Sequence, residues 1–255
     1  MTPWPAETIW EQIFPLLPDF TVEVLPELDS SNSELMRRAR AGHLESTLLV
    51  VERQTAGRGR LGRVWQSQPG DSLTFSLSLS LTPQDWSGLS LAVGLSLAES
   101  LHPDVQLKWP NDLWFEDRKL GGILVEAASM GGRSQVVVGV GLNIRPRLAE
   151  GLSTPPACLS ELLPELTAPS CLARVASPLI QALLRFESQG FAPLEAAFEA
   201  RDTLKGRQVH TSDGQQGLAM GVGPNGALRI QTDGLVHDIV SSEISVRPFS
   251  SGGSL

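Results

Sequence analysis

The clearest pattern in the 255-residue chain is LTFSLSLSLT, where Leu73, Phe75, Leu77, Leu79 and Leu81 alternate with Thr74, Ser76, Ser78, Ser80 and Thr82. Successive side chains of a strand point to opposite faces, so the spacing predicts a strand with one buried face. In DWSGLSLAVGLSLAESL, Trp86, Leu89, Val93, Leu97 and Leu101 recur every three or four positions, which predicts a helix on that sheet. FTVEVLPEL and STLLVVE read as strands. Between them, DSSNSELMRRARAG reads as a helix capped by Asp29, Ser30 or Ser31 and stopped at Gly42.

Further along, VQLKW is a strand stopped by Pro110, and LWF and LGGILVEAAS flank EDRK as a hairpin. QVVVGVGLNI is another strand, entered through a Gly131-Gly132 turn. Residues 146 to 170 read as a long connector. CLARVASPLIQALLRFESQG is helical, with Pro178 either kinking it or opening its second half, and PLEAAFEARD is a short helix. From Gly206 the pattern turns to short strands broken by SDG, PNG and TDG, a small all-β domain. Residues 1 to 19, with four prolines and no period, read as a loose arm with one short helix.

Composition narrows the function. The chain is 41% apolar and 19% charged, with net charge −8. That balance speaks against broad electrostatic binding to DNA or an anionic membrane. No Lys or Arg precedes Arg37, so the basic start of a secretory signal is missing, and no apolar run approaches the ~20 residues of a membrane helix. Cys158 and Cys171 lack metal-ligand spacing and read as free thiols of a cytoplasmic protein.

Against this acidic background, QTAGRGRLGRVW sets Arg58, Arg60 and Arg63 among Gly57, Gly59 and Gly62. Arginine grips phosphate or carboxylate through forked hydrogen bonds, and glycine lets the backbone fold closely, so the segment reads as a loop that wraps a small anion. Its G-x-G-x-x-G match to the dinucleotide fingerprint fails, because Pro69-Gly70 leave no room for the helix that the fingerprint needs. Arg63-Val64 stand where a phosphate loop needs Lys and Ser/Thr. In KWPNDLWFEDRKLGGILVE, Lys108, Asn111, Asp112 and Lys119 with Gly121-Gly122 supply the cations, polar groups and close backbone of a nucleotide site. Gly139, Gly141 and Asn143 fall on one face of a strand, which suggests a floor cleared for a flat ligand.

SSN, QTAGRGRLGRVW, KWPNDL, RKLGGILVE and GVGLNI, in this order and spacing, resemble the biotin–protein ligases (biotin–acetyl-CoA-carboxylase ligases). LKGRQV, GLAMGVGPNGALRI and SSEISVR resemble the SH3-like terminal domain of that family. The resemblance implies an α+β fold: a mixed, largely antiparallel sheet packed with helices, like class II synthetases, plus a small C-terminal SH3-like β-barrel. It implies a catalytic domain over 1–203, with residues 1–27 a short arm, an SH3-like domain over 204–249, and a tail over 250–255.

The resemblance also implies roles. Ser30, Ser31, Asn32 and Gln54 match the residues at the biotin head group, with Ser31 in place of a usual Thr. Arg58, Gly59 and Arg60 match the loop over biotin and its adenylate. Lys119 matches the lysine at the biotin carboxylate and α-phosphate, and with Arg58 and Arg60 it would be catalytic. Arg63, Trp65, Lys108, Asn111, Asp112, Asn143 and Arg247 fall at or near the ATP and adenylate site, with Trp65 against the adenine and Asp112 a contact for Mg²⁺. ATP and biotin are the implied substrates, and a biotin carboxyl carrier protein is the implied partner. Some relatives carry an N-terminal helix-turn-helix domain, and only about 28 residues precede SSN, so no DNA binding is expected. A homodimer is an open alternative, as are a lipoate or octanoate ligase or transferase and a non-catalytic biotin- and nucleotide-binding regulator.

Overall fold

The computed structural model describes residues 3–130, 133–147, 156–240 and 246–249. Its larger sheet has the order β1-β2-β3-β7-β6-β5-β4, formed by β1 (Thr21–Leu28), β2 (Thr47–Gln54), β3 (Ser72–Ser80), β4 (Gln106–Lys108), β5 (Asp112–Phe115), β6 (Arg118–Met130) and β7 (Arg133–Asn143). Only β1 and β2 run parallel; the other neighbours are antiparallel, so the sheet is mixed and largely antiparallel.

The alternation in β3 has a different meaning from the one its pattern suggests. Both faces are buried: Leu77 and Leu79 are 1% exposed, and Ser76 is 0% exposed. β3 is central, between β2 and β7. One face packs the leucines into the main core. The other turns its hydroxyls toward α2 (Ser31–Arg40), and these find partners there instead of water.

The helix α3 (Leu89–Leu101) is buried nearly all round, not along a single stripe, because it lies between the sheet and α4 (Ala168–Gln189). Trp86 precedes it, and Gly88, at φ 79°, caps it. α4 runs through Pro178 without restarting at Ser177. The N-terminal arm is not loose. α1 (Ala6–Ile13) buries Ile9 and Ile13 in the main core. Glu116 and Asp117 both take positive φ in the β5–β6 turn, which closes the predicted hairpin. The Gly131-Gly132 turn and residues 148–155 lie outside the described residues; the rest of the 146–170 connector holds a short helical turn at Leu159–Glu161, and its last three residues already belong to α4.

After α5 (Glu195–Glu199) the chain lays Arg201–Thr203 against Leu107 and enters a second sheet. β8 (Gln208–Thr211), β9 (Gln216–Val222), β10 (Leu228–Thr232), β11 (Leu235–Ile239) and β12 (Val246–Pro248) pair antiparallel in the order β11-β10-β9-β8-β12, consistent with an SH3-like domain. This sheet is seated on the first. The Trp109 indole, fully buried, donates to the Gly226 carbonyl at 3.0 Å, and Arg207 pairs with Asp117.

Candidate active site

A cavity of about 320 Å³ opens over the larger sheet, bounded by the start of α2, the Arg/Gly loop, the 108–112 segment, Lys119 and the end of the second sheet. One end is polar and uncharged. Ser30 caps α2 by accepting from the Ser33 amide at 3.3 Å, which places Ser31 and Asn32 in the first turn. The Gln54 side-chain Oε1 accepts from the Ser31 backbone amide at 2.7 Å, and the Gln54 backbone amide donates to Ser67 Oγ at 2.7 Å. Ser76 Oγ donates to Asn32 Oδ1 at 2.6 Å and lies 2.7 Å from Ser31 Oγ. With its single proton given to Asn32, Ser76 accepts from Ser31.

The Arg/Gly loop arches over this end. The Gly59 amide donates to the Arg63 carbonyl at 2.7 Å, and the Trp65 amide donates to the Gly57 carbonyl at 2.9 Å. A side chain at Gly57 would strike the Trp65 carbonyl. Leu61 at φ 56° and Gly62 at φ 70° make the tip, a conformation a leucine rarely adopts. Only a single short turn, Arg60–Gly62, forms there, in keeping with the rejection of the dinucleotide fingerprint.

Cations gather at the other end. Lys119 Nζ donates to Asp112 Oδ1 at 2.7 Å, and a side chain on Gly122 would crowd that ammonium. Arg60 Nη1 donates to Asn111 Oδ1 at 3.1 Å, and Asn111 in turn donates to the Ile123 carbonyl at 2.7 Å. Lys108 lies 5.0 Å from the centre of the Trp114 ring. Burial lowers the Lys108 pKa to about 8; Asp112 opposes the shift, and Lys119, Arg247 and Arg63 add to it. Burial likewise pulls the Arg60 guanidinium below its ordinary range.

Every residue nominated for substrate contact or catalysis by the family resemblance lines this cavity except Asn143. Asn143 is buried beneath, donating to the carbonyls of Ala157 at 2.9 Å and Lys119 at 3.3 Å, so it fixes the backbone that carries Lys119. Gly139 and Gly141 do line the floor of the cavity, and they also make room for the chain's own side chains. Side chains at those positions would strike Asn32 and Trp65, so the glycines seat residues of the chain itself. Three contributors were not nominated. Ser76 was hidden in an alternation that looks solvent-facing. Glu126 ends the RKLGGILVE motif and accepts from both Asn32 and Arg58. Arg147 follows GVGLNI and stacks 5.3 Å from the centre of the Trp65 ring.

Residues 26–143 match the biotin/lipoate A/B protein ligase family. Over 250 residues the chain is 36% identical to the bifunctional ligase/repressor BirA of Escherichia coli (strain K12), covering 93% of this chain and 77% of that protein. The chain belongs to the biotin/lipoate A/B protein ligase family. It is also 31% identical over 227 residues to the biotin–[acetyl-CoA-carboxylase] ligase of Paracoccus denitrificans, covering 80% of this chain and 92% of that one. Among solved structures it is similar to the biotin protein ligase from Aquifex aeolicus in complex with biotin and ATP. That match has 30% identity and a TM-score of 0.77, over 89% of this chain and 98% of that chain.

Proposed function

We propose that the protein joins biotin to a lysine of a carrier protein in two steps driven by ATP. The observation that carries this reading is the polarity of one continuous cavity. Its uncharged end, around Ser31, Asn32 and Gln54, suits a neutral polar head group, and its far end concentrates Lys119, Lys108, Arg60, Arg63 and Arg247. In the first step a biotin carboxylate oxygen attacks the α-phosphorus of ATP. The bond to the bridging oxygen breaks, and pyrophosphate leaves from biotinyl-5′-AMP. In the second, a carrier lysine amine attacks the mixed anhydride, loses a proton and releases AMP. Two anions must meet in the first step, and fixed cations lower that barrier. Lys119, at the cationic end beside Asp112, is where we place the junction of the carboxylate and the α-phosphate. The arginine loop covers the same junction and would shield the anhydride from water.

Asp112 does not suit a protein-held metal. Its Oδ1 is engaged by Lys119, and among the described residues no three His, Cys, Asp or Glu gather to hold an ion. We therefore place Mg²⁺ on the phosphates, as part of the nucleotide substrate, and read Asp112 as the counter-ion that orients Lys119. The catalytic domain would span 1–203 and the SH3-like domain 204–249, in a cytoplasmic enzyme acting on a biotin carboxyl carrier protein. The names of the relatives favour biotin over lipoate, and the test is direct. ATP-dependent transfer of labelled biotin to a carrier domain is expected, with no transfer of lipoate. Lipoate transfer without biotin transfer would overturn the reading.

A further inference from the structure

Glu126 stands on β6 with its side chain 22% exposed, and the cavity does not reach it. One carboxylate oxygen accepts from Asn32 Nδ2 at 2.9 Å, and the other accepts from Arg58 Nη2 at 2.9 Å. The same group therefore holds a residue of the polar end and a residue of the arginine loop.

Its effect on Asn32 follows from donor and acceptor chemistry. A carboxylate and a backbone carbonyl only accept, so the Asn32 atom that faces Glu126 and, at 3.3 Å, the Leu124 carbonyl must be the nitrogen. Both N–H groups of the amide are then committed. The oxygen takes one hydrogen bond from Ser76 and keeps a second lone pair. Asn32 lines the cavity, so what it can offer a ligand is an acceptor and not a donor. Gly139 leaves no room for the amide to shift inward, because the Asn32 carboxamide already fills the space beside it.

We propose that Glu126 is a positioning residue that sets ligand specificity, fixing the polarity of the Asn32 amide so that the cavity selects a head group presenting an N–H, such as a cyclic urea. The proposal rests on the biotin reading for the identity of that head group. Replacing Glu126 by Gln removes the compulsion, because a carboxamide can accept from Asn32 or donate to it. Replacing it by Ala leaves one Asn32 N–H without its charged partner and releases Arg58.

The test is equilibrium binding of biotin, and of a biotin analogue with one ureido N–H alkylated, to the full chain without ATP. Wild type should discriminate against the alkylated analogue. Glu126→Ala should bind biotin about tenfold more weakly, the ordinary loss for a hydrogen bond to a charged group. Glu126→Gln should narrow the discrimination ratio. A purely structural role would weaken both ligands alike and leave the ratio unchanged. The Arg58–Glu126 pair is partly exposed and Gln can still accept from Asn32, so Glu126→Gln should melt near wild type, whereas Glu126→Ala leaves a buried N–H unpaired and should melt lower. If Ala fails to fold, the Gln ratio decides. Wild-type ratios in a folded Gln variant would overturn the assignment. Failure of wild type itself to bind biotin would instead overturn the proposed function, together with this inference.

Discussion

Lys119 and Asp112 sit 2.7 Å apart at the cationic end of the cavity, with Gly122 giving the ammonium room. If Lys119 meets the carboxylate and α-phosphate, Lys119→Ala should lower pyrophosphate release by about 100-fold, the usual cost of one preorganised donor, in a protein with a normal melting curve. Near-normal release from the folded variant would remove Lys119 from that role. Lys108 makes a different prediction. Its pKa of about 8 in the free protein should rise when phosphates arrive beside it. ATP binding at pH 8.5 should therefore take up a proton, and affinity should fall as pH climbs past 8. Calorimetry in two buffers of different ionisation heat measures the uptake; Lys108→Gln should abolish it, and equal uptake in that variant would assign the proton elsewhere. Most cavity residues were legible because motifs keep them in short runs. Ser76 in the cavity and Glu126 behind it were not, because their partners Asn32 and Arg58 are 44 and 68 residues away.

At the scale of elements, the arginine loop is closed on itself by backbone bonds and tied to its surroundings through Arg58 and Arg60. Gly57→Ala would set a methyl group against the Trp65 carbonyl and break the bond from the Trp65 amide. The loop is exposed around Leu61 and Val64, so the melting temperature should hardly move, while the KM for ATP should rise severalfold. An unchanged KM would show that the arch does not shape the nucleotide end. The Arg201–Thr203 strap is a second such element. Asp202 is pushed up to about 6 by burial, with the Leu204 and Lys205 amides opposing and Glu199 adding repulsion. A carboxyl raised on folding contributes stability that is complete below about pH 4 and lost as pH rises through 6. Asp202→Asn keeps the acceptor for the Leu204 amide, so it should be more stable than wild type at pH 8 by on the order of 2 kcal/mol. That gain should shrink toward pH 4. Urea unfolding at pH 8 and pH 4.5 measures it, and equal gains at both would rule out the titration. Strands and helices were largely legible from period alone. Burial was not: β3 and α3 lie between layers, and period cannot say that both faces are covered.

For the whole molecule, the second sheet matters through where it touches the first. Lys108, Pro110, Asn111 and Asp112 line the cavity, whereas Trp109 turns away into the seam between the sheets and donates to Gly226. Ser90 Oγ supports the same segment by donating to the Pro110 carbonyl at 2.9 Å. Gly226, at φ 75°, abuts the Gly88 backbone at the cap of α3, and a side chain there would collide with it. No sequence period could announce the bond from Trp109 to Gly226, since those two residues stand 117 positions apart. Its consequence is that the C-terminal domain should act on the nucleotide end by fixing the 108–112 segment, as well as through Arg247. Trp109→Phe keeps the ring in the seam but leaves the Gly226 carbonyl unpaired, a loss of about 1–3 kcal/mol for a buried acceptor. Gly226→Ala wedges the same seam from the other side. Both variants should raise the KM for ATP well above wild type and leave biotin affinity within about twofold, because Ser31, Asn32 and Gln54 are anchored to α2, β2 and β3 and not to the seam. Steady-state kinetics with ATP varied, beside equilibrium binding of biotin alone, separates the two effects. A parallel loss of both would mean that the seam holds up the fold in general, and an unchanged KM for ATP would mean that the second sheet does not position this segment.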